Sequence, residues 1–278
     1  MGPVSCRPYD AIAAQRLLPV LRSADADEAV RTTGALLAAG CRAVELTTST
    51  PGWAAAVART AGLPDALGRP ALIGVGTVTT AAHAEAALDA GACFLVSPYP
   101  APEAREVAAR RGAPFVEGGF TPGEIAAAVR RSGAAKVFPA HVGGPAFIRS
   151  LRAVLPGALL IPTGGIAPGE VRDWLAAGAT AVGIGDGLPT DPADLAALFT
   201  ALAAPEPTGQ GGGPAGGPGT GPGAGPAAPG AVPRGSAPGS APPPGPQAGA
   251  GASDGRRASA ADAGRAAPQG RAVPRGER

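Results

Sequence analysis

Along the first two hundred residues, helix-like Ala-rich runs repeatedly end in glycine and give way to short apolar blocks of β type. Ala39-Gly40-Cys41 leads to Ala43-Val44-Glu45-Leu46-Thr47, and Ala90-Gly91-Ala92 leads to Cys93-Phe94-Leu95-Val96-Ser97. Arg111-Gly112-Ala113 leads to Pro114-Phe115-Val116-Glu117, and Ser132-Gly133-Ala134 to Lys136-Val137-Phe138. Ala177-Gly178-Ala179 leads to Ala181-Val182-Gly183-Ile184. Glycine suits the position just past a helix end because it accepts the left-handed conformation there. Alternation at a period of roughly 20–30 residues predicts a parallel sheet built from β-α units.

The pattern predicts strands at Leu17–Arg22, Ala43–Thr47, Leu72–Gly76, Cys93–Ser97, Pro114–Gly118, around Lys136, at Leu159–Pro162 and at Ala181–Ile184. Helices are expected over Asp25–Ala39, from near Thr80, from Pro168, and up to Ala203, with Pro8–Gln15 as a helix closing the floor of the sheet. Thr121-Pro122-Gly123-Glu124 reads as an N-cap, a proline at the first helical position and an acid at the third. About eight such units in about 200 residues is the small end of the (β/α)8 TIM barrel range. A doubly wound open sheet would place a Gly-rich phosphate loop after its first strand. Here that strand is followed by Ser23-Ala24-Asp25-Ala26-Asp27, so the barrel is the expected fold.

Composition then divides the chain. From Ala204 onward there is no Leu, Ile, Met, Phe, Tyr or Trp. Such a segment cannot bury enough apolar surface to offset its ordering entropy, and its glycines keep no strict three-residue period of the collagen kind. The expected organisation is a barrel over 1–204 and a disordered Gly/Pro/Ala-rich tail over 205–278. The net charge of +2 across 278 residues is too small to argue for nucleic acid or an anionic membrane as partner. The three cysteines, Cys6, Cys41 and Cys93, form no CxxC pair, which fits a reducing compartment and a cytoplasmic location. No apolar run approaches the roughly 20 residues of a membrane span, and the N-terminus lacks the h-region of a signal peptide.

One residue stands out chemically. Lys136 is the single lysine of the chain; every other basic side chain apart from the two histidines is arginine. Guanidinium stays protonated, whereas a desolvated ammonium can lose its proton and attack a carbonyl to give a Schiff base. The alternative is a strand lysine that snorkels its ammonium to the surface. In a barrel, function sits at the C-terminal ends of the strands. There this chain places Arg22, Glu45, Thr47, Thr77, Ser97, Glu117, Lys136, Thr163 and Asp186. Alternation along a strand turns Val44 and Leu46 outward and Glu45 inward, and turns Val137 outward and Lys136 and Phe138 inward. A carboxylate and an amine then meet in one interior, either as catalytic groups or as a buried ion pair, which is costly to desolvate. Thr163-Gly164-Gly165-Ile166-Ala167-Pro168 is the kind of loop that brings backbone N–H groups to an anion. His83 and His141 have no metal-ligand spacing; His83 is expected on a helix surface.

Six stretches occur in order: Val44-Glu45-Leu46-Thr47, Gly74-Val75-Gly76-Thr77-Val78, Val96-Ser97-Pro98, Lys136-Val137-Phe138-Pro139-Ala140, Pro162-Thr163-Gly164-Gly165-Ile166 and Ala181-Val182-Gly183-Ile184-Gly185. Together they resemble the 2-keto-3-deoxy-6-phosphogluconate (KDPG) and 4-hydroxy-2-oxoglutarate (KHG) aldolases, from about Leu17 to Ala203. The resemblance implies a class I pyruvate aldolase on a (β/α)8 barrel, a homotrimer, acting on a small oxo acid without metal or other cofactor. It makes Lys136 the Schiff-base lysine and Glu45 the general acid and base. It places Thr77 and Thr163 at the pyruvate end, Phe138 as pocket wall, Gly164 and Gly165 at the phosphate, and Arg22 as an anion-binding arginine. Two other readings of the residues are a phosphate-binding barrel isomerase or epimerase, with Glu45 as base, and a barrel that binds an oxo acid without turning it over.

Three positions depart from the family pattern. Ser49 stands where many members carry Arg, Glu117 where Pro is common, and Asp186 where a Ser donates to phosphate. A carboxylate about 4 Å from a phosphate costs roughly 4 kcal/mol per charge pair at an effective dielectric near 20. Helix-end attraction returns only about 0.3–1 kcal/mol. If Asp186 faces the pocket, an unphosphorylated substrate is expected; if it caps the turn at Gly187, the phosphate site survives.

Overall fold

The structure, a computed structural model, describes residues 8–203. Cys6 and the expected tail over 205–278 lie outside these residues. The strands are β1 (Leu17–Leu21), β2 (Ala43–Thr47), β3 (Leu72–Gly76), β4 (Phe94–Val96), β5 (Phe115–Val116), β6 (Gly118–Gly119), β7 (Ala134–Val137), β8 (Leu159–Pro162) and β9 (Val182–Ile184). All pair in parallel, in the orders β5-β4-β3-β2-β1-β9 and β6-β7-β8. A parallel bridge from Thr163 to Gly183 links the end of β8 to β9, and Glu117 alone separates β5 from β6. The result is a parallel α/β fold with a curled sheet, consistent with a TIM-like barrel.

The strand expected over Pro114–Gly118 is broken at Glu117 because the chain changes neighbours there. The Ser97 N–H donates to Val116 O on one side, and the Lys136 N–H donates to Glu117 O on the other. The Glu117 side chain is buried and turned outward. It accepts from the Ala101 N–H at 2.9 Å and pairs with Arg105 at 2.5 Å and Arg131 at 2.8 Å. It therefore ties α5 (Pro102–Arg111) to α6 (Pro122–Ser132), and it is not part of the strand-end constellation.

The other helices are α1 (Pro8–Gln15), α2 (Ala26–Ala38), α3 (Trp53–Thr60), α4 (Ala81–Asp89), α7 (Ala140–Val154), α8 (Val171–Ala176) and α9 (Pro192–Ala203), with a 3-10 turn at Pro168–Glu170 before α8. Side-chain caps start several of them. Asp25 accepts from the Glu28 N–H, Thr80 from the His83 N–H, and Thr121 and Glu124 form a reciprocal capping box. The Thr121 donors hold the Glu124 carboxyl below its usual 4.5. Helices α3 and α7 stand where the sequence pattern marks none. The first has only eight residues, and the second is broken near its start by Gly144, whose φ is 62°.

Alternation sorts the core into two layers. Val44, Leu46, Ala135, Val137, Val182 and Ile184 face the helices. Ala43, Phe94, Val116, Ala134, Ile161 and Ala181 fill the interior. Ala11 and Ile12 of α1 join the interior layer, so α1 does close the floor. Ile12 is 1% exposed, and truncating it to Ala is worth roughly 2–5 kcal/mol on the usual scale for buried aliphatics. His83 is half-buried, not a plain surface residue, and meets the Trp53 ring edge-on at 6.4 Å. Cys41 and Cys93 are free thiols, and burial pushes the Cys41 thiol up. Among the described residues no helix is long and apolar enough to cross a membrane.

Candidate active site

Lys136 and Glu45 meet inside the sheet, as the alternation of β7 and β2 requires. The Lys136 Nζ lies 3.3 Å from Glu45 Oε1, and the two side chains are only 6% and 1% exposed. A buried pair of this kind adds little stability, since desolvation offsets its attraction. Space for the carboxylate comes from Gly76. A Cβ on that residue would fall 1.8 Å from Glu45 Oε1. The ammonium also lies 5.7 Å from the centre of the Phe138 ring, within cation–π range.

Thr77, the residue after β3, has a φ of 59°. A β-branched residue in the left-handed region is strained by about 1–3 kcal/mol. Thr48 braces it, donating its N–H to Gly76 O and its hydroxyl to Thr77 O, both at 3.0 Å. Thr163 follows β8, is buried, and donates its hydroxyl to Ile161 O at 3.3 Å. Thr47 is buried and donates to Leu21 O, so Ser49 must be the donor in the 2.8 Å contact between their hydroxyls.

Beside these groups opens a cavity of about 410 Å³, lined among others by Arg22, Phe138, Thr163, Gly164, Gly165 and Asp186. Gly164 has a φ of 96°, and a Cβ there would fall 2.9 Å from the Phe138 ring, so only glycine lets the loop pass so close. The N–H groups of Gly165 and Ile166 carry no hydrogen bond among the described residues. The Ala167 N–H is already taken by the Glu170 carboxylate at 2.7 Å. Arg22 and Asp186 are both exposed, and neither has a hydrogen bond or ion pair among the described residues. The cap of Asp186 on the Gly187 turn is thus not formed, and Asp186 lines the cavity.

The KDPG and KHG aldolase family matches residues 10–194. The chain belongs to this family. A probable 2-dehydro-3-deoxy-6-phosphogalactonate aldolase of Rhizobium meliloti (strain 1021) is 36% identical over 174 residues, 62% of this chain and 81% of the relative. The solved 4-hydroxy-2-oxoglutarate/2-dehydro-3-deoxyphosphogluconate aldolase from TTHB1 is 32% identical with a TM-score of 0.61, over 70% of this chain and 96% of that one. A KDPG aldolase of Legionella pneumophila, solved with pyruvate captured as a covalent carbinolamine, is 26% identical with a TM-score of 0.59, over 71% of this chain and 96% of that one. The relatives are named aldolases, and aldolases are lyases.

In this aldolase-family chain the candidate residues named from the sequence, Glu117 excepted, lie at or beside the strand ends, and those around the amine and the cavity divide into two groups. The Lys136 amine is in reach of both Glu45 and the Phe138 ring, whereas Arg22, Gly164, Gly165 and Asp186 line the cavity beside them. Phe138 belongs to both, since its ring lies near the Lys136 amine and also lines the cavity. His141 rests its Nδ1 3.3 Å from Gly164 O, outside the amine–carboxylate pair. Three contributors carry no expectation in the sequence: Gly76, Thr48 and Glu170. The inward face of Gly74-Val75-Gly76 is legible from alternation, and could have flagged the room for Glu45. Among the described residues no three His, Cys, Asp or Glu side chains are grouped to hold a metal ion.

Proposed function

We propose that this protein is a class I aldolase that cleaves a 4-hydroxy-2-oxo acid to pyruvate and an aldehyde through a Schiff base on Lys136. The observation that carries the reading is the buried contact of 3.3 Å between Lys136 Nζ and Glu45 Oε1. It gives the lysine's proton an acceptor inside the fold. The free amine adds to C2 of the oxo acid, and Glu45 gives the proton it took to the carbinolamine hydroxyl, which leaves as water to give an iminium and restores the carboxylate. Glu45 takes the proton of the C4 hydroxyl, the C3–C4 bond breaks, and its electron pair passes into the iminium as an enamine. The aldehyde departs. Protonated Glu45 then returns a proton to C3, and water hydrolyses the iminium to release pyruvate and the amine. The carbinolamine captured in the Legionella pneumophila relative supports this course.

Thr77 and Thr163 are proposed to hold the pyruvate carboxylate, and the Phe138 ring to wall the bond-breaking region. The eight staves are read as a closed (β/α)8 barrel, with β5 and β6 as one interrupted stave. A homotrimer in the cytoplasm completes the proposal, on family resemblance. The test is pyruvate release from 4-hydroxy-2-oxoglutarate and from KDPG, followed with lactate dehydrogenase. Wild type is expected to release it from at least one of the two, and Lys136→Arg, which keeps the charge but cannot form an iminium, is expected to release it from neither. Near wild-type turnover by Lys136→Arg would rule out covalent catalysis.

A further inference from the structure

The loop carrying Asp186 is a wall between two cavities. On one side is the 410 Å³ cavity beside Phe138. On the other is a second, of about 440 Å³, against α2, with Arg31, Thr32 and Glu28 in its lining. Arg22, Gly185, Asp186 and Gly187 line both. The charges of the two differ. In the first cavity, Arg22 is the lone arginine and faces Asp186 and Glu170, the latter engaged with the Ala167 N–H at 2.7 Å. In the second, Arg22 is joined by Arg31, and one of the two acids, Glu28, is engaged with the Ala24 N–H at 2.6 Å. Arg31 is exposed and makes no hydrogen bond or ion pair among the described residues. Asp27, on the same helix, is paired with Arg59 at 2.5 Å and feels the Arg31 charge only without contact.

Resting on the aldolase reading above, we infer that the aldehyde half of the substrate runs past Asp186 and ends in the second cavity, where Arg22 and Arg31 hold a terminal anionic group. Asp186 then accepts hydrogen bonds from hydroxyls on the intervening carbons, a role suited to a carboxylate with no partner of its own. A guanidinium pair facing one cavity is suited to phosphate or carboxylate recognition. A short phosphorylated aldehyde, by contrast, would set its phosphate against Asp186 and Glu170. The substrate class selected is an anion-terminated oxo acid whose aldehyde half is longer than three carbons.

The test needs no turnover. Erythritol 4-phosphate and glycerol 3-phosphate, inert mimics of a four-carbon and a three-carbon aldehyde half, are titrated calorimetrically against the full chain. Wild type is expected to bind the longer phosphate more tightly. Arg31→Ala is expected to reduce that preference at least tenfold, Arg31→Lys to recover part of it, and Asp186→Ser to shift the preference toward glycerol 3-phosphate. Equal binding of both phosphates, no measurable binding of erythritol 4-phosphate, or an unchanged preference in Arg31→Ala overturns the inference. Condensation of pyruvate with glyoxylate is measured in parallel. Because a poor two-carbon acceptor would also fail there, the aldolase reading is judged by loss of the pyruvate C3 proton signal in D2O, which needs only the enamine, while the calorimetry judges the second cavity on its own.

Discussion

Gly76→Ala is the substitution that strikes the site through a single methyl group. The new Cβ would fall 1.8 Å from Glu45 Oε1, 2.5 Å from its Cδ and 2.8 Å from its Cγ. The neighbours must give until the contact exceeds the 3.0 Å below which Cβ atoms are essentially never found. The carboxylate therefore has to retreat by roughly 1.2 Å, and a displacement of about 1 Å at a reacting group can cost about 10²-fold in rate. The 3.3 Å contact with Lys136 could not keep its present geometry. The backbone itself tolerates alanine, since Gly76 is not among the glycines with positive φ. Overpacking costs about 1–3 kcal/mol, and removing a strand glycine returns about 0.5–1 kcal/mol. A melting temperature lower by only a few degrees is expected, at about 2–4 °C per kcal/mol for a domain of this size. Gly74→Ala is the control. Its Cβ would fall 2.2 Å from the Phe94 ring, two residues earlier on the same inner face and away from the carboxylate. Pyruvate release and thermal melting are measured on both variants. The expected pattern is a kcat loss of about 10²-fold, or about 2.7 kcal/mol, in Gly76→Ala alone. A Gly76→Ala enzyme within about threefold of wild type, a difference of about 0.65 kcal/mol, would refute the placement of Glu45 at the reacting bond.

Glu45→Gln should still trap pyruvate on the lysine, more slowly, but lose aldol turnover by roughly 10²–10⁴-fold, the usual worth of a positioned acid and base; unchanged turnover in the same lactate dehydrogenase assay would return Glu45 to a structural role. Glu117→Ala strips the Ala101 N–H and two arginines of their shared acceptor. Because Arg105 and Arg131 are partly exposed, a loss of about 1–3 kcal/mol in denaturant unfolding is expected, with kcat of the folded enzyme retained. Asp65 reports on acid. Burial raises its carboxyl, but donation from the Arg69 N–H, the Arg69 side chain and the Leu67 N–H outweighs it and holds the group below 3.8. A lowered folded-state value stabilises above the unfolded value, and that contribution is lost as pH falls through the folded one. Wild type should therefore lose stability as pH drops below about 4, and Asp65→Asn, already without that contribution at neutral pH, should show a shallower decline of melting temperature over the same range.

The strand set was legible because burial on both faces writes parallel strands as short apolar blocks, and glycine punctuates the helix ends. The break at Glu117 was not, because it depends on β4 and β7 each claiming a neighbour from one short segment. Lys136 and Glu45 were readable as a pair from alternation alone, since each shares its strand with outward apolar neighbours, Val137 in one case and Val44 and Leu46 in the other. The direction of Asp186 was not, because it follows a strand end and depends on a loop whose course only the tertiary structure defines. Thr48 escaped notice for a similar reason. Its hydroxyl serves the backbone of another strand end, 29 residues away.

The most direct test of Schiff-base chemistry is borohydride reduction in the presence of pyruvate, read by peptide mass spectrometry. The chain has two kinds of primary amine, the N-terminus and Lys136, so the site of any adduct is unambiguous. A reduced pyruvate adduct on the Lys136 peptide, absent without pyruvate and absent in Lys136→Arg, is the predicted result. No adduct on that peptide at saturating pyruvate, in protein that is folded and releases pyruvate from substrate, would contradict it.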